Sequence, residues 1–225
     1  LRSLILSHEE ELISAMHTDF HKPEFEVLGT ESRFSVAELN MMIRNLRRWS
    51  GRQRVRTSLV NFAAGSYIMP QPYGQVLVLS PWNYPFQLSM VPAMSALAAG
   101  NCVVLKVSQK AEQTGEVISK ILSHFPRELI VLIRGEHYLS DYLLNYKFDY
   151  IFFTGSPDVG RKVMTKAAEN LTPVTLELGG KNPNIIFADC NYEKMLGTTV
   201  LSSFRNQGEI CLCGSRIFVE KSIYD

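Results

Sequence analysis

The chain lacks the features that mark several whole classes of protein. Only four of its 225 residues are cysteine (Cys102, Cys190, Cys211, Cys213). That is too few for a disulfide framework at this length. They do not recur as paired C-x-x-C, which argues against a zinc site, and no other metal is expected. Reduced thiols in a cytosol-like, cytoplasmic setting follow. Charge of one sign is missing too: the formal net charge is +1, which offers no bulk attraction to nucleic acid or to anionic membrane. The longest apolar stretch, residues 90–99, is interrupted by Pro92 and Ser95. It falls well short of the ~18 residues that cross a bilayer, so no membrane segment is expected in this chain. No charged-then-apolar signal segment opens the sequence, and its first residue is Leu1; an excerpt or a processed product is expected. Internal repeats, low-complexity tracts and the G-x-G-x-x-G of the ordinary dinucleotide fold are absent as well.

What is present is ordinary globular composition, 46% hydrophobic and 20% charged. At roughly 150 residues per domain this allows one large domain or two small ones. Leu4, Ile5, Leu12, Ile13 and Met16 recur at helical spacing and predict a helix over 1–20, broken at Lys22-Pro23. Leu39, Met42, Ile43 and Leu46 predict a second helix from Ser32 to Trp49. Together these form a lead-in, residues 1–72, expected to pack on the main domain. The arginines at 44, 47, 48, 52, 54 and 56 read as an anion or nucleic-acid patch, or as a solvated helix face and loop that the acidic first helix offsets. No aromatic interleaving supports base stacking there.

From Tyr73 onward short, continuously apolar runs (76–79, 103–105, 129–133, 150–153) alternate with helix-length segments (86–99, 111–125, 137–146). That is the pattern of a parallel sheet covered on both faces: a doubly wound, Rossmann-like α/β domain over 73–176. A further helix is expected from Gly160 to about Asn170, a linker near 171–180, then a strand at 184–187 and a helix at 191–204, beginning a second α/β unit over 177–225. Ligands of such sheets bind beyond the carboxyl ends of the strands, where the chemistry-bearing residues also fall.

The turn Ser80-Pro81-Trp82-Asn83-Tyr84-Pro85 is stiffened by two prolines. It can hold the Asn83 amide toward a developing oxyanion, or serve as a plain strand–helix connection. Lys106 ends an apolar strand and can meet a ribose hydroxyl or a phosphate, although strand-end lysines are commonly only solvated. In Phe153-Thr154-Gly155-Ser156-Pro157-Asp158-Val159-Gly160, Ser156 suits an N-cap and Pro157 the first helical position. The helix end suits a pyrophosphate, or is simply a capped helix. Glu177, at a strand end beside Leu178-Gly179-Gly180, can activate water, particularly if burial raises its pKa, or is a structural carboxylate. Cys211, in a Gly-containing loop, can be an exposed thiolate or a buried apolar thiol. Cys102 and Cys190 read as buried apolar thiols, and Cys213 as a rival or redox partner.

The order of these motifs resembles the aldehyde dehydrogenase superfamily from end to end. Residues 1–190 are most similar to its class 3, fatty-aldehyde-type branch, and the stretch 203–213 is similar to the muconic-semialdehyde branch. Glu177 to Cys211 (34 positions) and Asn83 to Lys106 (23 positions) fit the family's spacing. The resemblance implies NAD(P)-dependent oxidation of an aldehyde to a carboxylic acid. It makes Cys211 the nucleophile, Glu177 the general base, and Asn83 the oxyanion donor together with the Cys211 N–H. It makes Ser80, Trp82, Lys106, Gln109, residues 155–160 and Leu178 the NAD or NADP contacts. It also implies a small-molecule aldehyde substrate, a homodimer if the full-length chain exists, and a catalytic domain that continues beyond Asp225. One departure is Lys106-Val107-Ser108-Gln109, where the family usually carries Lys-Pro-Ser-Glu; the lost carboxylate favours NADP. Three other readings stay open: a non-catalytic nucleotide-binding remnant, a coenzyme A-dependent acylating enzyme, and a DNA-binding module.

Overall fold

A computed structural model describes residues 1–224; Asp225, the end of the expected second unit, lies outside them. The lead-in is helical in shorter pieces than its periodicity predicts. Helices α1 (Arg2–Ser7) and α2 (Glu9–Phe20) part at His8. The imidazole Nδ1 of His8 lies 2.8 Å from the Leu4 carbonyl oxygen and competes for the acceptor that continuous helix would use. Beyond Lys22-Pro23, α3 (Glu24–Val27) passes through a π turn at 28–32 into α4 (Arg33–Trp49). Two short exposed strands follow, β1 (Gln53–Val55) and β2 (Ser66–Ile68), paired as an antiparallel hairpin. The arginine run is exposed along α4 and this hairpin, with Arg52 over the Tyr67 ring at 4.2 Å. The acidic first helices do not offset it, because Glu9 pairs with Arg33 and Glu11 with Lys120.

The main domain is β3 (Gln75–Leu79), α5 (Gln87–Ala98), β4 (Cys102–Lys106), α6 (Glu112–Leu122), β5 (Ile130–Ile133), α7 (Tyr138–Leu143), β6 (Tyr150–Gly155), α8 (Pro157–Ala168) and β7 (Val174–Leu178). All five strands are parallel, in the order β5-β4-β3-β6-β7. The chain winds outward from β3 through β5 and returns at β6. The switch point therefore lies between β3 and β6, where a crevice opens beyond the strand ends. Successive residues of β3 point to opposite faces. Val76 and Val78 pack with α5, α6 and the lead-in, while Leu77 and Leu79 pack with Ile151, Phe153 and Val163.

Two carboxylates of the lead-in cap helices of this domain. Asp19 accepts from the N–H groups of Gln113 and Thr114 and from the Thr114 hydroxyl, at the start of α6. Glu31 accepts from the N–H groups of Phe86 and Gln87, at the start of α5. Both supply acceptors that the helix ends lack, and negative charge where the helix dipole favours it.

The stretch 171–180, expected to be a linker, instead holds β7, which pairs with β6 through Gly155↔Leu178. The crossing to a second, two-stranded parallel sheet begins at Gly179. That sheet contains β8 (Pro183–Ile186) and β9 (Arg216–Val219), with α9 (Tyr192–Phe204) between them. The thiols also depart from expectation. Cys102 is exposed at the entrance of β4 and Cys190 is half-buried, whereas Cys213 is the buried one.

Gly74 enters β3 with φ at +128°, and a Cβ there would collide with the Asp149 carboxylate that accepts from Gln75 N–H. Gly74→Ala is expected to destabilise the fold by about 1–3 kcal/mol. Urea unfolding checks this; an unchanged midpoint would show that the turn relaxes freely.

Candidate active site

Apart from Cys211, the candidate side chains lie at or just beyond the ends of strands of the parallel sheet. After β3, Ser80 is fixed by its own N–H and hydroxyl, which both donate to the Lys106 carbonyl (3.1 and 3.2 Å), and by the Ser89 hydroxyl at 2.7 Å. Trp82 stacks on Phe20 of the lead-in, and Lys110 lies over its ring. The Asn83 side chain donates through Nδ2 to the Glu209 carbonyl at 2.8 Å, and the Asn83 carbonyl accepts from Lys22 Nζ and Asn206 Nδ2. A primary amide carries two donor hydrogens, so the Glu209 bond aims the group without exhausting it.

At the end of β4, Lys106 is buried rather than solvated, and its ammonium donates to the carbonyls of Val107 and Gly135, each at 2.9 Å. Burial pushes its pKa down, against the pull of Glu136. Gln109 helps line a cavity of about 460 Å³ with Glu112, Arg134 and Glu136. A neighbouring cleft of about 330 Å³ brings Ser80, Trp82, Lys106, Gln109 and Val159 together.

After β6, Ser156 caps α8 by accepting from Val159 N–H at 3.3 Å, with Pro157 in the first turn. At Gly155 and Gly160 a Cβ would stand 2.5 Å from the Phe153 ring and 2.7 Å from the Leu178 side chain, respectively, so a larger residue at either position must displace that side chain. Asp158 is not brought to the cleft: its side chain is 90% exposed and pairs with Arg161. Glu177 stands near the end of β7 in register with Thr154. It is exposed within a cleft rather than buried.

The loop carrying Cys211 follows α9. Asn206 and Gln207 adopt left-handed backbone angles (φ 49° and 61°), and Gly208 follows at 77°. Asn206 is buried; it donates to Asn83 O at 3.1 Å and weakly to Glu209 O at 3.4 Å. Asn182, beyond the Gly179-Gly180 crossing, donates to the carbonyls of Cys211 and Cys213. Among the described residues no backbone or side-chain acceptor takes the Cys211 N–H.

Two clefts, of about 680 and 590 Å³, meet at this loop. Asn83, Gln87, Leu88, Ile210 and Cys211 line both. One extends past Tyr84, Phe34, Leu201 and Arg205; the other past Thr154, Gly155, Ser156, Glu177 and Leu178. Thr154 Oγ1 is the one buried side-chain polar atom among the described residues without a partner. Nothing local in the sequence marks Thr154, Asn182, Asn206 or the buried Lys22–Glu31 pair as part of the site. The polar pair Asn206-Gln207 directly before Gly208 was the available signal for the turn.

Comparison with known proteins identifies the family. The Aldehyde dehydrogenase family model matches residues 1–225. Aldehyde dehydrogenase family 3 member B1 of Bos taurus is 40% identical over 94% of this chain and 46% of its own length. The 4,4'-diaponeurosporen-aldehyde dehydrogenase of Staphylococcus aureus is 36% identical over 100% of this chain and 49% of its own. A substrate-bound structure of Staphylococcus aureus AldH superposes with a TM-score of 0.95 at 35% identity, over 99% of this chain and 49% of that one. An NAD+ complex of a Bacillus cereus aldehyde dehydrogenase does so at 0.89 and 29%, over 99% and 45%. The chain spans about half the length of the curated relatives it matches. With the family model covering it from end to end and family 3 members among its relatives, this chain belongs to the aldehyde dehydrogenase family.

Proposed function

We propose that the protein containing this chain oxidises an aldehyde to a carboxylic acid with NAD or NADP, through a covalent adduct on Cys211. The observation that carries this reading is the meeting of two clefts at one exposed thiol. Asn83 stands in the shared wall, and Glu177 lines one of the two clefts. The thiolate attacks the aldehyde carbon, and the new oxyanion takes hydrogen bonds from Asn83 Nδ2 and the Cys211 N–H. Oxidation leaves a thioester on Cys211. Glu177 then takes a proton from water, which attacks the thioester and releases the acid.

The residues present fit a dinucleotide. At the start of α8 the Asp158 N–H takes no acceptor among the described residues and can meet a pyrophosphate, and Thr154 Oγ1 still lacks a partner. Trp82, Ser80, Lys106 and Gln109 would hold the nucleoside half, with Ser156, Val159 and Leu178 along the phosphate path. Bound there, the cofactor supplies the hydride acceptor. Pro157 and Gly160 serve by shaping the start of α8, and Asp158 by favouring its dipole.

The proposed division has a lead-in (1–72), a cofactor domain from 73 and the start of a catalytic unit after it. The crossing falls at Gly179-Gly180, because Glu177 and Leu178 complete β7. A homodimer of the full-length protein in the cytoplasm accompanies this reading. All four thiols are free, and no helix of the described residues is long and apolar enough to cross a membrane.

The test is an aldehyde panel with NAD and with NADP, each with and without coenzyme A. Aldehyde-dependent cofactor reduction without coenzyme A is expected. Strict dependence on coenzyme A would favour an acylating enzyme, and no reduction would leave a nucleotide-binding remnant.

Gln109 supplies a narrower prediction. A carboxylate at that position would repel a 2′-phosphate, and 1.4 kcal/mol is a factor of ten. Gln109→Glu is expected to lower the NADP-to-NAD ratio of kcat/KM by roughly tenfold. An unchanged ratio would remove the NADP preference from this reading.

A further inference from the structure

We infer that the buried Lys22–Glu31 pair is a positioning device for the reacting centre, acting through the main chain of Asn83; this rests on the reading of Asn83 as oxyanion donor. The pair is almost wholly enclosed, with side-chain exposures of 2% and 0% and an Nζ–Oε1 distance of 2.6 Å. Each partner has a second task. Lys22 Nζ also donates to the Asn83 carbonyl at 3.0 Å and sits 4.4 Å from the centroid of the Tyr84 ring. The other carboxylate oxygen of Glu31 accepts from Phe86 and Gln87 N–H at 3.1 and 2.8 Å. The turn from Asn83 to Gln87 is therefore held at both ends by one ion pair from the lead-in.

The nucleophile loop is tied to the same place. Asn206 Nδ2 shares the Asn83 carbonyl with Lys22 at 3.1 Å, and Gln207 Nε2 donates to the Phe20 carbonyl at 2.6 Å. Asn83 Nδ2 returns the bond by donating to Glu209 O. Residues 20–31, 82–87 and 206–209 thus form one hydrogen-bonded junction behind the two clefts. Burying an ion pair is costly, and well-packed apolar residues of the same volume stabilise a fold as well or better. What an apolar pair cannot provide is a directed donor to the Asn83 carbonyl. That bond fixes the peptide from which the Asn83 amide projects. It also fixes the acceptor that keeps Asn206 in its left-handed turn, two elements that must agree for an oxyanion to be held.

The test is Lys22→Met combined with Glu31→Gln, made in the full-length protein. The introduced glutamine keeps an acceptor for the start of α5, the introduced methionine keeps the apolar stem, and no unpaired charge is left buried. The expected result is a kcat lowered by roughly 10- to 100-fold, with the KM for aldehyde and the dissociation constant for NAD changed less than about threefold. In an Asn83→Ala background the same pair of changes should cost little more, because both act on one interaction. Hydrogen exchange gives a readout that needs no turnover: amides of 82–87 and 206–211 should exchange faster, and those of β3, β4 and β6 should not. Unchanged exchange at those two segments overturns the proposal whatever the activity. So does a kcat loss that simply multiplies with that of Asn83→Ala, or exchange that rises throughout the domain. Faster exchange confined to the junction in a protein without aldehyde-dependent NAD reduction would sink the enzymatic reading and leave the junction standing.

Discussion

Cys211→Ser is expected to lower aldehyde oxidation by a factor on the order of 10³ or more, with the melting temperature unchanged. The reaction needs a group that attacks carbon readily and later leaves as a stable anion. A thiol is a few per cent thiolate at neutral pH and intrinsically very nucleophilic, whereas a serine hydroxyl is neither without a dedicated base. The structure separates the two candidate thiols. Cys211 is exposed at the junction of both clefts; Cys213 is buried, with its Sγ 3.8 Å from the Arg205 carbonyl oxygen that it faces as a weak donor. Cys213→Ser should therefore retain most of the activity. Initial rates followed by cofactor absorbance decide the matter. A Cys211→Ser enzyme that keeps a tenth of its rate, or a Cys213→Ser enzyme that loses a thousandfold, would move the chemistry off Cys211.

Much of this arrangement was legible in the amino acids, for identifiable reasons. Parallel strands buried on both faces must be continuously apolar, so β3 to β6 announced themselves. The α8 cap was readable because Ser156 and Pro157 act on their own backbone. What escaped notice depends on partners distant in sequence. Lys22 looked like a helix breaker beside Pro23, and nothing local says that its ammonium lies against Glu31 and the Asn83 carbonyl. Cys102 reads as a core thiol, but it occupies the first position of an interior strand, at the end where the strand emerges into solvent. The β1–β2 hairpin carries no alternation of apolar and polar residues because neither face is buried. The linker expected near 171–180 narrows to Gly179-Gly180, because residues 174–178 form a half-covered strand at the edge of the described sheet. The motif order that brought Asn83, Glu177 and Cys211 together was readable only through family resemblance; spacing alone puts no two of them in one cleft.

Glu177→Gln should produce a different defect from Cys211→Ser, and the difference tests the order of the steps. In the proposed mechanism the carboxylate acts only after the thioester exists. Glu177 stands near the end of β7 opposite Thr154 and lines the cleft that Cys211 also lines. Among the described residues it makes no side-chain hydrogen bond or salt bridge, so nothing competes for the water proton it would take. The substituted amide would keep the size and the acceptor oxygen but could not hold that proton. Steady-state turnover should fall by about 10² to 10⁴, the usual contribution of a general base. Rapid mixing should still show a burst of reduced cofactor approaching one equivalent per site, because hydride transfer does not use this carboxylate. The enzyme left after the burst should carry the acyl group on Cys211, visible as added mass. Hydroxylamine attacks a thioester without help from a base, forming the hydroxamate and freeing the thiol, so it should restore part of the turnover. Loss of the burst in step with turnover, or no response to hydroxylamine, would place Glu177 before hydride transfer and require another residue to activate the water.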